Sequence, residues 1–246
     1  MLTNTFLHIP YISEKIESEL WQNNIRCWDD FLSRRPEIKN SDLIEKHLTL
    51  SKENYLYRNH VFFSQKIERK HHWRAYDDFK DRCCYLDIET TGLSRERSDL
   101  TVVGVYDGNE SKVFIKGKNM DDFREEIKKY KMIVTFNGAL FDVPFLQAKF
   151  PDLNIDQFHV DLRWTMKSLG YSGGLKNIEK ELGIERESDL SGMTGRDAIK
   201  LWKKYKNHGD EKALDILVRY NIEDIENLKY MMDFSYEKLK GKCFDC

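Results

Sequence analysis

Over the first 80 residues, apolar side chains recur at helical spacing. Ile12, Ile16 and Leu20, then Ile25, Trp28 and the pair Phe31–Leu32, recur at roughly helical spacing, and Pro36 with Asn40–Ser41–Asp42 breaks the stripe. The period changes near residue 82. "CCYLDIETT", "LTVVGVYDG" and "SKVFIKG" are short apolar, β-branched runs that read as strands, the last two joined by a turn at Gly108–Asn109. An amphipathic helix is predicted around "DDFREEIKKY", then a strand "MIVTFNG", a helix "VPFLQAKF", a short strand near "FHVDL", and helices for nearly all of the rest. This order predicts an α/β fold with a mixed central sheet and flanking helices. It also predicts a small helical domain at 1–80 ahead of a larger domain at 81–246, with the boundary between residues 75 and 82.

Charge narrows the picture only a little. One third of the chain is charged, but 40 basic residues face 42 acidic ones, so neither disorder from self-repulsion nor an overall polyanion-binding character is indicated. A local basic face remains compatible with nucleic acid. "TFLHIP" is too short and too interrupted for a signal peptide, no window is apolar enough to span a bilayer, and five cysteines without a disulfide spacing suit a reducing cytoplasm. Cys243 and Cys246 form a terminal CxxC. A zinc site there needs two further ligands, from Cys83, Cys84 or His71–His72, and a frayed tail with free thiols is the reading preferred.

The chemistry-bearing positions begin in "YLDIETTG". Strand side chains alternate faces, so Asp87 and Glu89 point the same way out of an apolar run. Two buried like charges repel and raise at least one pKa, whereas a divalent cation turns the same pair into a ligand set of hard oxygens. The ordinary alternative is a strand-end pair facing water. Asp142 starts the helix after Asn137–Gly138, where an acid also suits the helix dipole. Tyr220 and Asp224 stand at i and i+4 on a late helix, which is equally the pattern of a core-edge tyrosine beside a surface aspartate.

Taken in order, "YLDIETTGL", "FNG..FD", "GGLKNIEKELGI" and "RDAIKLWKKY…YNIEDIENL" resemble the DEDD superfamily of 3′→5′ exonucleases on the ribonuclease H-like fold, over roughly residues 82–235. The absence of histidine from "YNIED" places the resemblance in the tyrosine-bearing branch, and closest to small prokaryotic ribonuclease H-like exonuclease domains. The resemblance implies that Asp87, Glu89, Asp142 and Asp224 hold two Mg²⁺ or Mn²⁺ ions. Asp87 would bridge them, Asp142 would act largely through water, and Tyr220 would orient the attacking water. It implies contacts from Thr90 and Leu93 to the terminal nucleotide and from Asn137 and Phe141 to the 3′ end. The expected partner is single-stranded nucleic acid, with DNA placed ahead of RNA.

Other positions keep two readings. Lys176 and the amides after Gly173–Gly174 suit a phosphate or simply a hinge. Asp161 reads first as a helix-start acid and second as a site accessory. The N-terminal "HIPYISEKIESELWQNNIRCWDDFL" resembles a helix-hairpin-helix start that has lost both hairpin glycines, at Pro10–Tyr11–Ile12–Ser13. "QKIERKHHWRAY" interleaves basic and aromatic residues, as a single-strand binder or an ordinary packed helix would. Two other functions fit the sequence less well. A haloacid-dehalogenase-type phosphatase wants Asp-x-Asp-x-Thr where this chain has "DIETT", and a non-catalytic nucleic-acid scaffold would not need all four acids.

Overall fold

A computed structural model describes residues 1–244. The N-terminal region carries α1 (Glu14–Gln22), α2 (Trp28–Arg34), α3 (Ser41–Leu56), α4 (His60–Ser64) and α5 (Tyr76–Phe79). After them come β1 (Cys83–Thr90), β2 (Leu100–Tyr106), β3 (Ser111–Ile115), α6 (Phe123–Ile127), β4 (Met132–Thr135), α7 (Asp142–Lys149), β5 (Phe158–Asp161), α8 (Leu162–Ser168), α9 (Leu175–Glu181), α10 (Gly195–His208) and α11 (Glu211–Phe244). The sheet order is β3-β2-β1-β4-β5, antiparallel across β1–β3 and parallel from β1 through β4 to β5. This is the mixed sheet that the strand pattern predicts. The helix expected over "DDFREEIKKY" is shorter than its periodicity suggests. Tyr130 turns its hydroxyl back to Glu126, and Lys131 already bonds the Arg82 carbonyl, so the chain has to leave the helix to start β4.

Strand alternation divides β1 between two cores. Cys84, Leu86 and Ile88 pack with α6 and α7 residues such as Phe123 and Phe145. Cys83 and Tyr85 face the other way, toward Ile225, Leu228 and Met232 of α11. Asp87 and Glu89 continue this second face, so the apolar layer under α11 ends in two carboxylates.

The N-terminal region shares that core. Phe6, Trp28, Phe31 and Phe63 belong to one continuous apolar cluster with β1, β4, β5 and α11. Polar ties cross the same junction: Tyr76 Oη lies 2.6 Å from Tyr85 Oη and donates to Asp233 of α11 at 2.8 Å. His72 satisfies the outer edge of β5, its Nδ1 accepting from the His159 amide at 2.9 Å while Nε2 donates to the Ser64 and Ile67 carbonyls. An unpaired strand edge is thereby covered. Most of "QKIERKHHWRAY" is structural in this way. Trp73 and Tyr76 are buried, and Arg74 forms a buried ion pair with Glu17 at 2.5 Å. Tyr11 takes a left-handed φ of 71°, so the turn keeps a conformation that glycine normally supplies.

Cys83 and Cys84 are buried in β1, and Cys243 lies on α11; Cys246 falls outside the described residues, so the CxxC expectation lies partly beyond them. Among the described residues no helix is long and apolar enough to cross a membrane.

Burial pulls the His72 imidazole down to about 4. An imidazole that is neutral when folded and basic when unfolded makes the unfolded state bind more protons between those two pKa values. Stability is therefore full above about pH 6.5 and falls as pH drops toward the folded value. His72→Leu removes this term together with the hydrogen bonds. The stability gap between wild type and His72→Leu, from urea melts, should narrow by about 2 kcal/mol between pH 7 and pH 5. A gap that stays constant would contradict a neutral buried His72.

Candidate metal centre and groove

Three carboxylates converge where β1 meets α11. Oxygens of Asp87, Glu89 and Asp224 all lie within 4.8 Å of one another. Glu89 and Asp224 are buried and Asp87 is partly so. Each is placed by regular structure. The period of β1 puts Asp87 and Glu89 on one face, and the α-helical i, i+4 spacing stacks Tyr220 with Asp224 on the side of α11 that meets it. The β1–β2 register shifts between Glu89 and Thr90, so the ladder is irregular at this point.

Asp142 stands apart from the trio. It opens α7, is buried, and accepts the Ile88 amide through Oδ1 at 3.2 Å, so one of its oxygens is committed to β1. All four acids are held above the ordinary carboxylate range, and burial is the largest cause for each. Repulsion from neighbouring acids is the next cause for Asp87 and Glu89.

The surroundings offset part of that repulsion. Asn221 Nδ2 donates to Asp87 Oδ2 at 2.9 Å. Arg186 is buried and ion-paired with Asp224 and with Glu179, the latter at 2.6 Å. Lys176 lays its Nζ 4.6 Å from the centre of the Tyr220 ring, buried and without a hydrogen-bond partner. Neither Asn221 nor Arg186 is signalled by the motif reading. An asparagine inside a helix is a weak hint, because its side chain competes with the helix backbone unless it has another partner. Arg186 comes from the loop after α9, and its place is set by tertiary packing alone.

Gly104 makes room for Asn221. It pairs with Asp87 across β1–β2, and a Cβ built on it would lie 2.0 Å from Asn221 Oδ1. The backbone of β2 thus lets the amide reach the acid.

Two arms of a groove meet over the acids. One, about 780 Å³ in volume, is lined by Thr90, Leu93, Phe141 and Arg196 beside Asp87 and Tyr220. The other, about 710 Å³, runs past Asn137, Trp164 and Tyr171. Leu93 is 87 % exposed at the rim, and Thr90 Oγ1 donates to the Gly92 carbonyl. Asn137 has a left-handed φ of 65°, fixed by its amide donating to Asp161 and its Oδ1 accepting from Arg163 at 2.6 Å. Asp161 is the N-cap of α8 and also accepts the Ala139 amide, which matches the helix-start reading. Lys176 leans on Tyr220 instead of lining either arm.

The donor set fits a hard divalent cation. It is all oxygen, with no cysteine or histidine among the three, and Asn221 and Arg186 each bond a single carboxylate oxygen of their partner acid. Asp87→Asn relieves repulsion without loss of volume. In EDTA the variant should melt about 2–6 °C above wild type, from roughly 1–2 kcal/mol of relief, and should gain less from Mn²⁺. A lower melting point in EDTA with an undiminished Mn²⁺ response would contradict the assignment. Gly104→Ala should cost about 1–3 kcal/mol by pushing Asn221 away. In chemical denaturation, Gly104→Ala/Asn221→Ala should be scarcely less stable than Asn221→Ala alone; full additivity would disprove the close approach.

The chain is similar to several known proteins. The uncharacterized protein MJ0365 of Methanocaldococcus jannaschii is 28 % identical over 157 residues, covering 57 % of this chain and 88 % of that one. Among solved structures, the family B DNA polymerase of Pyrobaculum calidifontis is similar at 17 % identity and a TM-score of 0.48, over 64 % of this chain but only 24 % of the polymerase. NrnC of Brucella melitensis is similar at 17 % identity and a TM-score of 0.44, over 69 % of this chain and 79 % of NrnC. The family model described as RNase_H superfamily matches residues 84–236, the stretch that carries all of β1 but Cys83, all four acids and Tyr220. With more than half of its length so matched, the chain belongs to the RNase_H superfamily.

Proposed function

We propose that the protein is a metal-dependent 3′→5′ exonuclease of the tyrosine-bearing kind, hydrolysing phosphodiester bonds at single-stranded nucleic-acid ends and releasing nucleoside monophosphates. The observation that carries this reading is the clustering of Asp87, Glu89 and Asp224 within 4.8 Å at the junction of two open arms of a groove. Asp87, Glu89 and Asp224, with Asp142 alongside, would hold two Mg²⁺ or Mn²⁺ ions. Such ions neutralise charge on the attacking and leaving oxygens and make water more acidic.

The remaining parts are the chain's own. Tyr220 is pushed above the usual phenol range, first by burial and then by the neighbouring acids, so it stays protonated at neutral pH. A neutral phenol both donates and accepts, which suits holding a water in line and excludes service as a strong base. Lys176 and Arg186 place positive charge behind Tyr220 and Asp224, and Asn221 fixes the rotamer of Asp87. Thr90, Leu93 and Phe141 would receive the terminal nucleotide, with the exposed Leu93 against its base and Asn137 close to the 3′ end. Residues 1–80 would serve as a helical module supporting the nuclease part at 81–246.

Asp87→Ala and Asp224→Ala should each abolish Mg²⁺- or Mn²⁺-dependent mononucleotide release from a 5′-labelled single strand, on either DNA or RNA, read as loss of the degradation ladder. Retained activity in both would refute the site. Tyr220→Phe should lower kcat by about 10²-fold or more while changing KM little, because positioning of the nucleophile is lost and strand binding is not. Equal kcat in the two proteins would remove the role given to Tyr220.

A further inference from the structure

Trp164 stands half exposed on a helix whose buried side it does not join. Helix α8 buries Leu162 and Met166, one turn apart, and Trp164 lies midway between them, on the opposite side. It is 49 % exposed, although burial of an indole is among the largest stabilising contributions available to a chain. Two cations attend it: the Arg163 guanidinium 5.8 Å and the Lys167 ammonium 5.3 Å from the ring centre.

Its position links three parts of the molecule. Trp164 lines the groove arm that reaches Asp87, Tyr220 and Asp224. It also lines a smaller cleft, about 190 Å³, whose other walls include Arg69 and Lys70 of the N-terminal region. Arg163 also lines the groove arm, where it donates to Asn137 at 2.6 Å. Lys70 is committed to Glu14 and Glu68, whereas Arg69 stays exposed at the cleft. Of the exposed residues of "QKIERKHHWRAY", Arg69 and Lys70 line the cleft that reaches Trp164.

We propose that Trp164, flanked by Arg163, Lys167 and Arg69, is the track that guides the single strand away from the acid cluster toward the N-terminal region. An exposed indole stacks on any base, and a spaced set of cations follows the phosphates without reading sequence. The charge complementarity is to a polyanion, which favours this occupant over a peptide. The inference rests on the exonuclease reading for its direction: with the 3′ nucleotide beside Leu93 and Phe141, the strand on Trp164 is its 5′ continuation. Enzyme action would then favour longer strands over dinucleotides, and the N-terminal region would contribute to substrate binding.

The test is fluorescence anisotropy on the full chain in EDTA, with 5′-fluorescein oligo(dT) and oligo(U) of about twelve nucleotides and with labelled dinucleotides. Trp164→Ala should weaken the long strands about tenfold and the dinucleotides far less, so that the preference for length collapses. Trp164→Phe, which keeps a stacking ring, should restore most of the affinity. Arg69→Ala should flatten the salt dependence for the long strands by about 0.7 in log–log slope. Unaltered long-strand affinity in Trp164→Ala, equal weakening at both lengths, or no oligonucleotide binding by the wild type would each overturn the track. A Trp164-dependent affinity without mononucleotide release in Mn²⁺ would refute the exonuclease reading and leave the track standing. Release that is indifferent to Trp164 would refute the track alone.

Discussion

Repulsion among carboxylates confined at the end of an apolar layer is the constraint around which this molecule is arranged. Like charges at such distances, shielded from water, interact far more strongly than on a surface. The fold meets the constraint with fixed dipoles and cations: Asn221 on Asp87, Arg186 on Asp224, Lys176 behind Tyr220. These partners lie on α9, on the loop after it and on α11. The helices over this face of the sheet are therefore held to β1 by electrostatics as well as by the packing of Ile225 and Leu228.

The same constraint explains features that look unrelated. Gly104 is needed on β2 because any side chain there would displace the amide that orients Asp87. Glu179 is buried, which is tolerable because Arg186 spans it and Asp224 in one network and Asn227 donates to it as well. Arg186 also lies 5.7 Å from the Tyr220 ring centre, so one guanidinium positions both the acid and the phenol.

How much of this could be read from the sequence follows from the range of each signal. The two-residue period of β1 and the i, i+4 relation of Tyr220 and Asp224 are local. They give the faces of Asp87, Glu89 and Asp224 directly, and the mixed sheet follows from the order of strands. Asp142 was legible as the start of a helix, but its bond to the Ile88 amide depends on how α7 meets β1. Arg186 and Asn221 were not legible. Their roles come from contacts between segments distant in sequence, and neither residue type at its position differs from a surface arginine or a mid-helix asparagine. For the N-terminal basic–aromatic segment, composition leaves a binding surface and a packed helix both open, and packing takes Trp73, Tyr76, His72 and Arg74 into the core and leaves Arg69 at a cleft.

The central claim is that the carboxylate cluster is a binding site for divalent cations and not merely a buried defect. Titration of chelator-stripped protein with Mn²⁺, followed by loss of the free-ion paramagnetic resonance signal, tests it without reference to any activity. The account predicts saturable binding at neutral pH that weakens sharply in Asp87→Asn and Asp224→Asn and is unaffected by Glu14→Gln on the distant N-terminal surface. A signal that falls equally little in all four proteins, with no saturation, would contradict it.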